Sequence, residues 1–346
     1  MRALIVKTSS LGDLVHTLPA LTDARRALPD LECDWLAERA FAEIPAWHPA
    51  VRRVIACDLR GWRRHPLASL RGGELASFRA ELRKEPYDLV IDAQGLLKSA
   101  LLARLARGPV AGPDTSSARE GAAALLYTHR YAASDHEKRH AVDRTRQLFA
   151  RAFGYAAPDS PPDAGLKPER FPRPDIDAPY AVFLHGTTWP AKRWSNSHWR
   201  SLGAMLAARG LRIVLPWGSE AERSDVLSIA EGCNGLVLPK LNLTGLAGWL
   251  AGARLVVGVD TGLAHLAAAL GTPQITLYGP TLPQLTGAVG ANQVWLRSST
   301  VETIDRERPT DIAVERVTGA VETLLEGIEP PASSTAPVAA STGAPS

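Results

Sequence analysis

Cysteine is nearly absent from this chain. The three present, Cys33, Cys57 and Cys233, lie far apart and form no CxxC pair. That excludes a disulfide framework or a cysteine zinc site and fits a reducing compartment. Long apolar runs are missing too. No stretch approaches the roughly 20 residues of a membrane span. The opening run Ala3 to Val6 is cut short by Lys7, so no secretory leader is expected. A cytosolic location follows as an expectation. Two nucleotide fingerprints are also lacking: the turn after the first strand reads Thr8-Ser9-Ser10-Leu11-Gly12-Asp13 rather than GxGxxG, and no Walker A run occurs. No bound cofactor is expected.

Two motifs imitate metal sites. His136-Glu137-Lys138-Arg139-His140 spells HExxH, but it sits among charges at a helix start with no third ligand in view. Asp175-Ile176-Asp177 spells DxD inside a proline-rich stretch and reads as solvated spacer. No metal site is expected from either.

What is present is α/β alternation over 346 residues, enough for two cores. Short apolar strands are expected near 2–7, 33–37, 54–57, 87–92 and 109–112, with helices at 14–28, 75–84, 96–107 and 140–153. Between Ala156 and Pro179 fall seven prolines and few apolar residues, which reads as a linker. Alternation restarts with strands at 180–185, 212–216, 236–239, 255–260 and 274–278. Helices are expected from Ser197, Glu220, Leu246 and Leu263, with a last one over 312–325. After Glu329 only Pro, Ala, Ser, Thr, Gly and Val remain, a composition that cannot build a core. The organisation expected is two Rossmann-like domains, 1–155 and 180–328, a linker at 156–179 and a disordered tail at 329–346. Their parallel sheets would face a central cleft.

Chemistry concentrates in strand-to-helix turns. After the run Val256-Val257-Gly258-Val259, Asp260-Thr261-Gly262 opens the small-residue helix that holds His265. Such a turn offers free backbone N–H groups and a helix dipole to an anion, so a phosphorylated ligand is expected there. Another turn, His185-Gly186-Thr187-Thr188-Trp189-Pro190-Ala191-Lys192, supplies two hydroxyls and a compact positive charge suited to a diphosphate. Glu222, after Pro216-Trp217-Gly218-Ser219, could accept hydrogen bonds from a ribose. In the first turn Asp13 is placed to cap a helix, and equally to take a proton from a bound hydroxyl. Charge is uneven: Arg52 to Lys84 carries nine basic residues against three acidic ones, which reads either as a solvated face or as a landing site for an anionic partner.

Four blocks, Ile5 to Ala20, Ile91 to Ser99, His185 to Thr188 and Asp260 to His265, together resemble glycosyltransferase family 9, the inverting lipopolysaccharide heptosyltransferases of GT-B fold. The resemblance covers about residues 1–328. Its Lys7-Thr8-Ser9-Ser10 start is similar to the members that add the first heptose; a family 9 transferase with a different acceptor is the alternative. The resemblance implies ADP-L-glycero-β-D-manno-heptose as donor and the inner Kdo of Kdo2-lipid A as acceptor. It makes 1–155 the acceptor domain and 180–328 the nucleotide-sugar domain. Asp13 would be the general base, with Lys192 acting in catalysis on the leaving group. Thr187, Thr188, Lys192, Asp260, Thr261, Gly262 and His265 would line the donor pocket, with Glu222 at the ribose and Leu241 at the adenine. Arg60, Arg63, Arg64 and Arg119 would touch the acceptor. The basic segment would meet lipid A phosphates, not nucleic acid, in peripheral contact with the cytoplasmic face of the inner membrane. Rival readings are a nucleotide-sugar epimerase of the same shape and a non-catalytic binding protein for lipopolysaccharide precursors.

Overall fold

The computed structural model describes residues 1–132, 138–298 and 310–327. The HExxH residues His136 and Glu137, and the tail from 329 onward, lie outside them. Twelve strands form two six-stranded sheets, all of whose pairings are parallel. The first holds β1 (Arg2–Val6), β2 (Glu32–Glu38), β3 (Val51–Cys57), β4 (Leu89–Asp92), β5 (Val110–Pro113) and β6 (His129–Tyr131). The second holds β7 (Tyr180–Leu184), β8 (Arg212–Leu215), β9 (Leu236–Val237), β10 (Leu255–Val259), β11 (Gln274–Tyr278) and β12 (Gln293–Arg297). Their orders are β3-β2-β1-β4-β5-β6 and β12-β11-β10-β7-β8-β9. Counted within each half, both are the doubly wound order 3-2-1-4-5-6. Continuous β-branched and leucine runs buried on both faces make such strands, as in β10, where every residue is buried.

The expected α/β GT-B architecture is therefore present. One apolar cluster joins the halves, drawing Ile5 and Ile91 from the first sheet, Val182 and Val256 from the second, and Ala264 from the helix that follows β10. A second covers the outer face of the first sheet and a third that of the second. Among the described residues no helix is long and apolar enough to cross a membrane.

Several local expectations change. The single helix expected over 14–28 is two, Leu11–Val15 and Leu18–Ala27. Pro19 has no N–H to give to Val15, so the first helix stops and the chain turns at His16. Strands β6 and β12 escaped the pattern search because they are edge strands with mixed burial. Leu59–Arg64 and Pro66–Arg71 add two short helices. The proline-rich stretch 156–179 contains one short 3-10 turn, Pro168–Arg170, and buries Ala164 and Phe171. Phe171 stands edge-on to Trp47 at 5.1 Å.

Candidate active site

In a sheet of this order the ligand crevice opens where the winding reverses, between the first and fourth strands. The four blocks singled out in the sequence are the four loops at the two reversal points: after β1 and β4, and after β7 and β10.

At the first point Thr8 N–H and Oγ1 both donate to Gln94 Oε1, at 2.8 and 2.7 Å, and tie the two loops together. The loop after β4 is pinned by buried Asp92. Its carboxylate accepts from Gln94 N–H, Gly95 N–H, Ser99 Oγ and Tyr127 Oη. Asp13 sits at the third position of its short helix, and its Oδ2 accepts from Ser10 N–H and Oγ, each at 3.0 Å. Its Oδ1 takes Arg119 Nη2 at 3.1 Å, and Lys7 Nζ stands 3.9 Å away. Burial works to raise this carboxyl, but Lys7, Arg119 and the Ser10 bonds outweigh it and hold its pKa at about 2. Lys7 is itself buried, which pushes its ammonium below the ordinary value, and it donates to Ala93 O at 2.9 Å. These groups open on a cavity of about 620 Å³ lined also by Gln94, Tyr131, Arg144 and Thr145. It is a cationic recess with one carboxylate at its wall.

At the second point Asp260 gathers its neighbours. Its Oδ2 accepts from Lys192 Nζ and Thr281 Oγ1, each at 2.7 Å, and its Oδ1 is 3.5 Å from His265 Nε2. Burial works to raise this carboxyl; the His265 bond and the Lys192 charge reverse that and leave it well below the carboxylate range. Lys192 also lies 4.9 Å from the Trp189 ring centroid. Trp189 is exposed, whereas Trp194 and Trp199 are buried and pack at 4.9 Å. Thr261 stands at the N-cap of the helix Gly262–Ala269, and its side chain makes no capping bond there. A neighbouring cavity of about 440 Å³ is lined by Gly186, Trp217, Glu222, Leu246, Thr261 and Leu263, among others.

The two points meet. A methyl group on Gly12 would fall 2.6 Å from His265 Cδ2, and one on Gly262 would fall 2.8 Å from Leu11 Cβ. Glycine at both positions lets the Asp13 helix lie directly on the helix Gly262–Ala269.

The expected residues fall into three groups. Asp13 and Arg119 share the first cavity; Lys192, Asp260 and His265 form one bonded set, with Thr187, Thr188, Thr261 and Gly262 on the loops beside it. Glu222 closes a capping box with Ser219 and accepts Gly218 N–H at 2.7 Å, so one of its oxygens already serves the fold. Leu241 is half-buried against the joint core, and Leu246 rather than Leu241 lines the cavity. Arg60, Arg63 and Arg64 are exposed on Leu59–Arg64 and do not line the Asp13 cavity. Within the basic segment, Arg52 and Arg53 pair with fully buried Asp34 at 2.8 and 2.7 Å, so part of that charge serves the fold. Sequence reasoning missed Lys7 and Arg144 as members of the recess. Lys7 was visible as an odd charge closing an apolar strand, and Arg144 as a cation two residues from buried Val142 and Arg146. Among the described residues no group of three or more His, Cys, Asp or Glu could hold a metal ion.

Known proteins resemble the chain throughout. Lipopolysaccharide heptosyltransferase 1 of Pseudomonas aeruginosa is 54% identical over 300 residues, covering 86% of this chain and 84% of the relative. E. coli heptosyltransferase WaaC with ADP superposes with a TM-score of 0.86 at 45% identity, over 94% of this chain and 100% of that one. WaaC with ADP-2-deoxy-2-fluoro heptose gives 0.83 at 45% identity over 93% of this chain and 99% of that one. The model of glycosyltransferase family 9 (heptosyltransferase) matches residues 75–313. The chain belongs to glycosyltransferase family 9.

Proposed function

We propose that this glycosyltransferase moves L-glycero-D-manno-heptose, with inversion, from ADP-heptose to the inner Kdo of Kdo2-lipid A. Residues 1–155 take the acceptor, 180–328 take the nucleotide sugar, and 156–179 join them. The observation that carries the reading is the stacking of the Asp13 helix on the donor-loop helix through Gly12 and Gly262. It supports a carboxylate of one half working beside a turn of the other whose free N–H groups suit an anion. The donor assignment is supported by the likeness to WaaC solved with ADP and with its fluorinated heptose analogue.

In the reaction the acceptor oxygen bonds to the anomeric carbon, the bond from that carbon to the diphosphate breaks, and its electron pair leaves with ADP. Asp13 receives the hydroxyl proton. A carboxyl held near 2 is a weak base towards a free hydroxyl, so the proton moves as the new C–O bond forms and the hydroxyl acidifies. Lys192 and the N-terminus of Gly262–Ala269 stabilise the charge growing on the leaving diphosphate, with Thr187, Thr188 and Thr261 as hydroxyl donors. Asp260 holds Lys192 in place. Glu222 reaches the ribose with its second oxygen, and Leu241 and Leu246 flank the adenine. His265 supports Asp260 from behind. Arg119, with Lys7 and Arg144, meets the anionic acceptor. Arg60, Arg63 and Arg64 meet lipid phosphates, which makes the enzyme peripheral on the cytoplasmic face of the inner membrane.

The test is a transfer assay with ADP-heptose and deacylated Kdo2-lipid A, with and without chelator, read by mass spectrometry. A heptose added in both arms is the expected result. Activity only on an acceptor that already carries heptose would assign the chain to another member of the family.

A further inference from the structure

Three histidines meet where the halves touch. His16 caps the C-terminus of the Asp13 helix, and its buried ring places Nε2 3.1 Å from the carbonyl oxygen of Gly287, on the second half. His140, at the N-cap of Ala141–Phe153, places its own Nε2 3.1 Å from the same oxygen. A peptide carbonyl has two lone pairs and can accept from both. The tautomer of His140 follows from its other nitrogen. Nδ1 accepts Val142 N–H at 3.2 Å, so the neutral ring carries its proton on Nε2, aimed at Gly287. Burial, with the neighbouring His265 and His140 rings, holds His16 well below its ordinary value, and because a carbonyl oxygen only accepts, the bond to Gly287 puts the neutral ring's proton on Nε2. Gly287 is fixed to the second sheet through Ala288, whose N–H donates to Tyr278 Oη at 2.8 Å. The His16 ring stands edge-on to His140 at 5.3 Å and to His265 at 4.5 Å.

We infer that His16 and His140 are positioning residues for the transfer: their paired bonds to the Gly287 carbonyl hold the halves at the angle that presents Asp13 to the donor loop. What is transferred rests on the function proposed above; the latch does not. His16 follows Asp13 in one tight turn, tied again by Thr17 Oγ1 donating to Asp13 O at 2.8 Å. A rotation that parts His16 from Gly287 therefore carries Asp13 away from the donor loop. Nucleotide binding uses groups of the second half alone and is untouched by that rotation.

The experiment compares the full chain with His16→Ala, His140→Ala, the double variant and His16→Gln, whose amide donor reaches about as far as Nε2. Losing two hydrogen bonds should lower kcat about tenfold in the double variant and about threefold in each single one. ADP affinity by calorimetry should stay within about twofold, and His16→Gln should recover kcat to within about twofold of wild type. X-ray scattering in solution should show a larger radius of gyration for the double variant. A lowered Tm with kcat at 25 °C unchanged would mean a merely structural role and overturn the inference. So would an equal loss in the Gln and Ala variants, or ADP affinity falling in step with kcat. If the wild type turned over neither substrate, the proposed function would fail; the latch would fail separately if the double variant scattered like wild type.

Discussion

Asp13 and Asp260 stand at the reversal points of two sheets with the same strand order, and they are used differently. Both carboxylates have both oxygens engaged, but Asp13 keeps 20% of its side chain exposed at the wall of its recess, while Asp260 keeps 7%. The cations around Asp13 come from three separate places: Lys7 just after β1, Arg119 in the loop after β5, and Arg144 in the helix Ala141–Phe153. The lysine on Asp260 comes from the adjoining loop. A carboxylate with an exposed edge can meet a substrate hydroxyl. A carboxylate with none can only orient its partners. One topology thus yields an exposed carboxylate in the first half, where we propose a base, and a buried clamp in the second, and loop residues decide which.

The contrast can be broken at either end. Asp13→Asn keeps the shape and most of the hydrogen bonding but removes the base, so turnover should fall by about 10³ while ADP affinity stays within about twofold. Lys192→Ala strikes the other half: a loss of roughly 10² in kcat/KM for the donor is expected, with acceptor KM unchanged, as steady-state kinetics would show. Asp260→Asn should cost less, about tenfold, because Lys192 remains but is no longer held. Arg119→Ala should raise acceptor KM about tenfold and leave the donor alone. The smallest effect is on stability. The Asp13 carboxyl lies at about 2, below the usual aspartate range. Its contribution is therefore complete above the unfolded pKa and lost as pH falls through the folded one. Asp13→Asn should be less stable than wild type at pH 7 by on the order of 1 kcal/mol, and the gap should close between about pH 4 and 2. A gap that stayed constant over that window, measured by urea unfolding, would remove the ion pairs from the account.

Much of this was legible along the chain because it is local. Each reversal-point loop lies within a dozen residues of its strand, so Asp13, Lys192, Asp260 and Thr261 announced themselves as polar residues closing apolar runs. The two sheets were legible for the same reason. The edge strands β6 and β12 were not, since a strand paired on one side needs no continuous apolar run. Arg144 could not be placed in the Asp13 recess without knowing that its helix lies over β5 and β6. The meeting of His16 with Gly287 joins positions 271 residues apart and has no local signature. The basic segment misled in part: its count was right, but buried Asp34 ties the Arg52 and Arg53 guanidinium groups to the fold.

The central claim is that a carboxylate from the first half faces the anomeric carbon of a sugar held by the second. A crystal structure with ADP-2-deoxy-2-fluoro heptose and a deacylated acceptor tests it directly. The account predicts the acceptor hydroxyl within about 3 Å of an Asp13 oxygen and about 3–3.5 Å from the anomeric carbon, opposite the diphosphate. An Asp13 carboxylate more than about 8 Å from that carbon in the closed complex, or on the diphosphate side of the sugar, would contradict it.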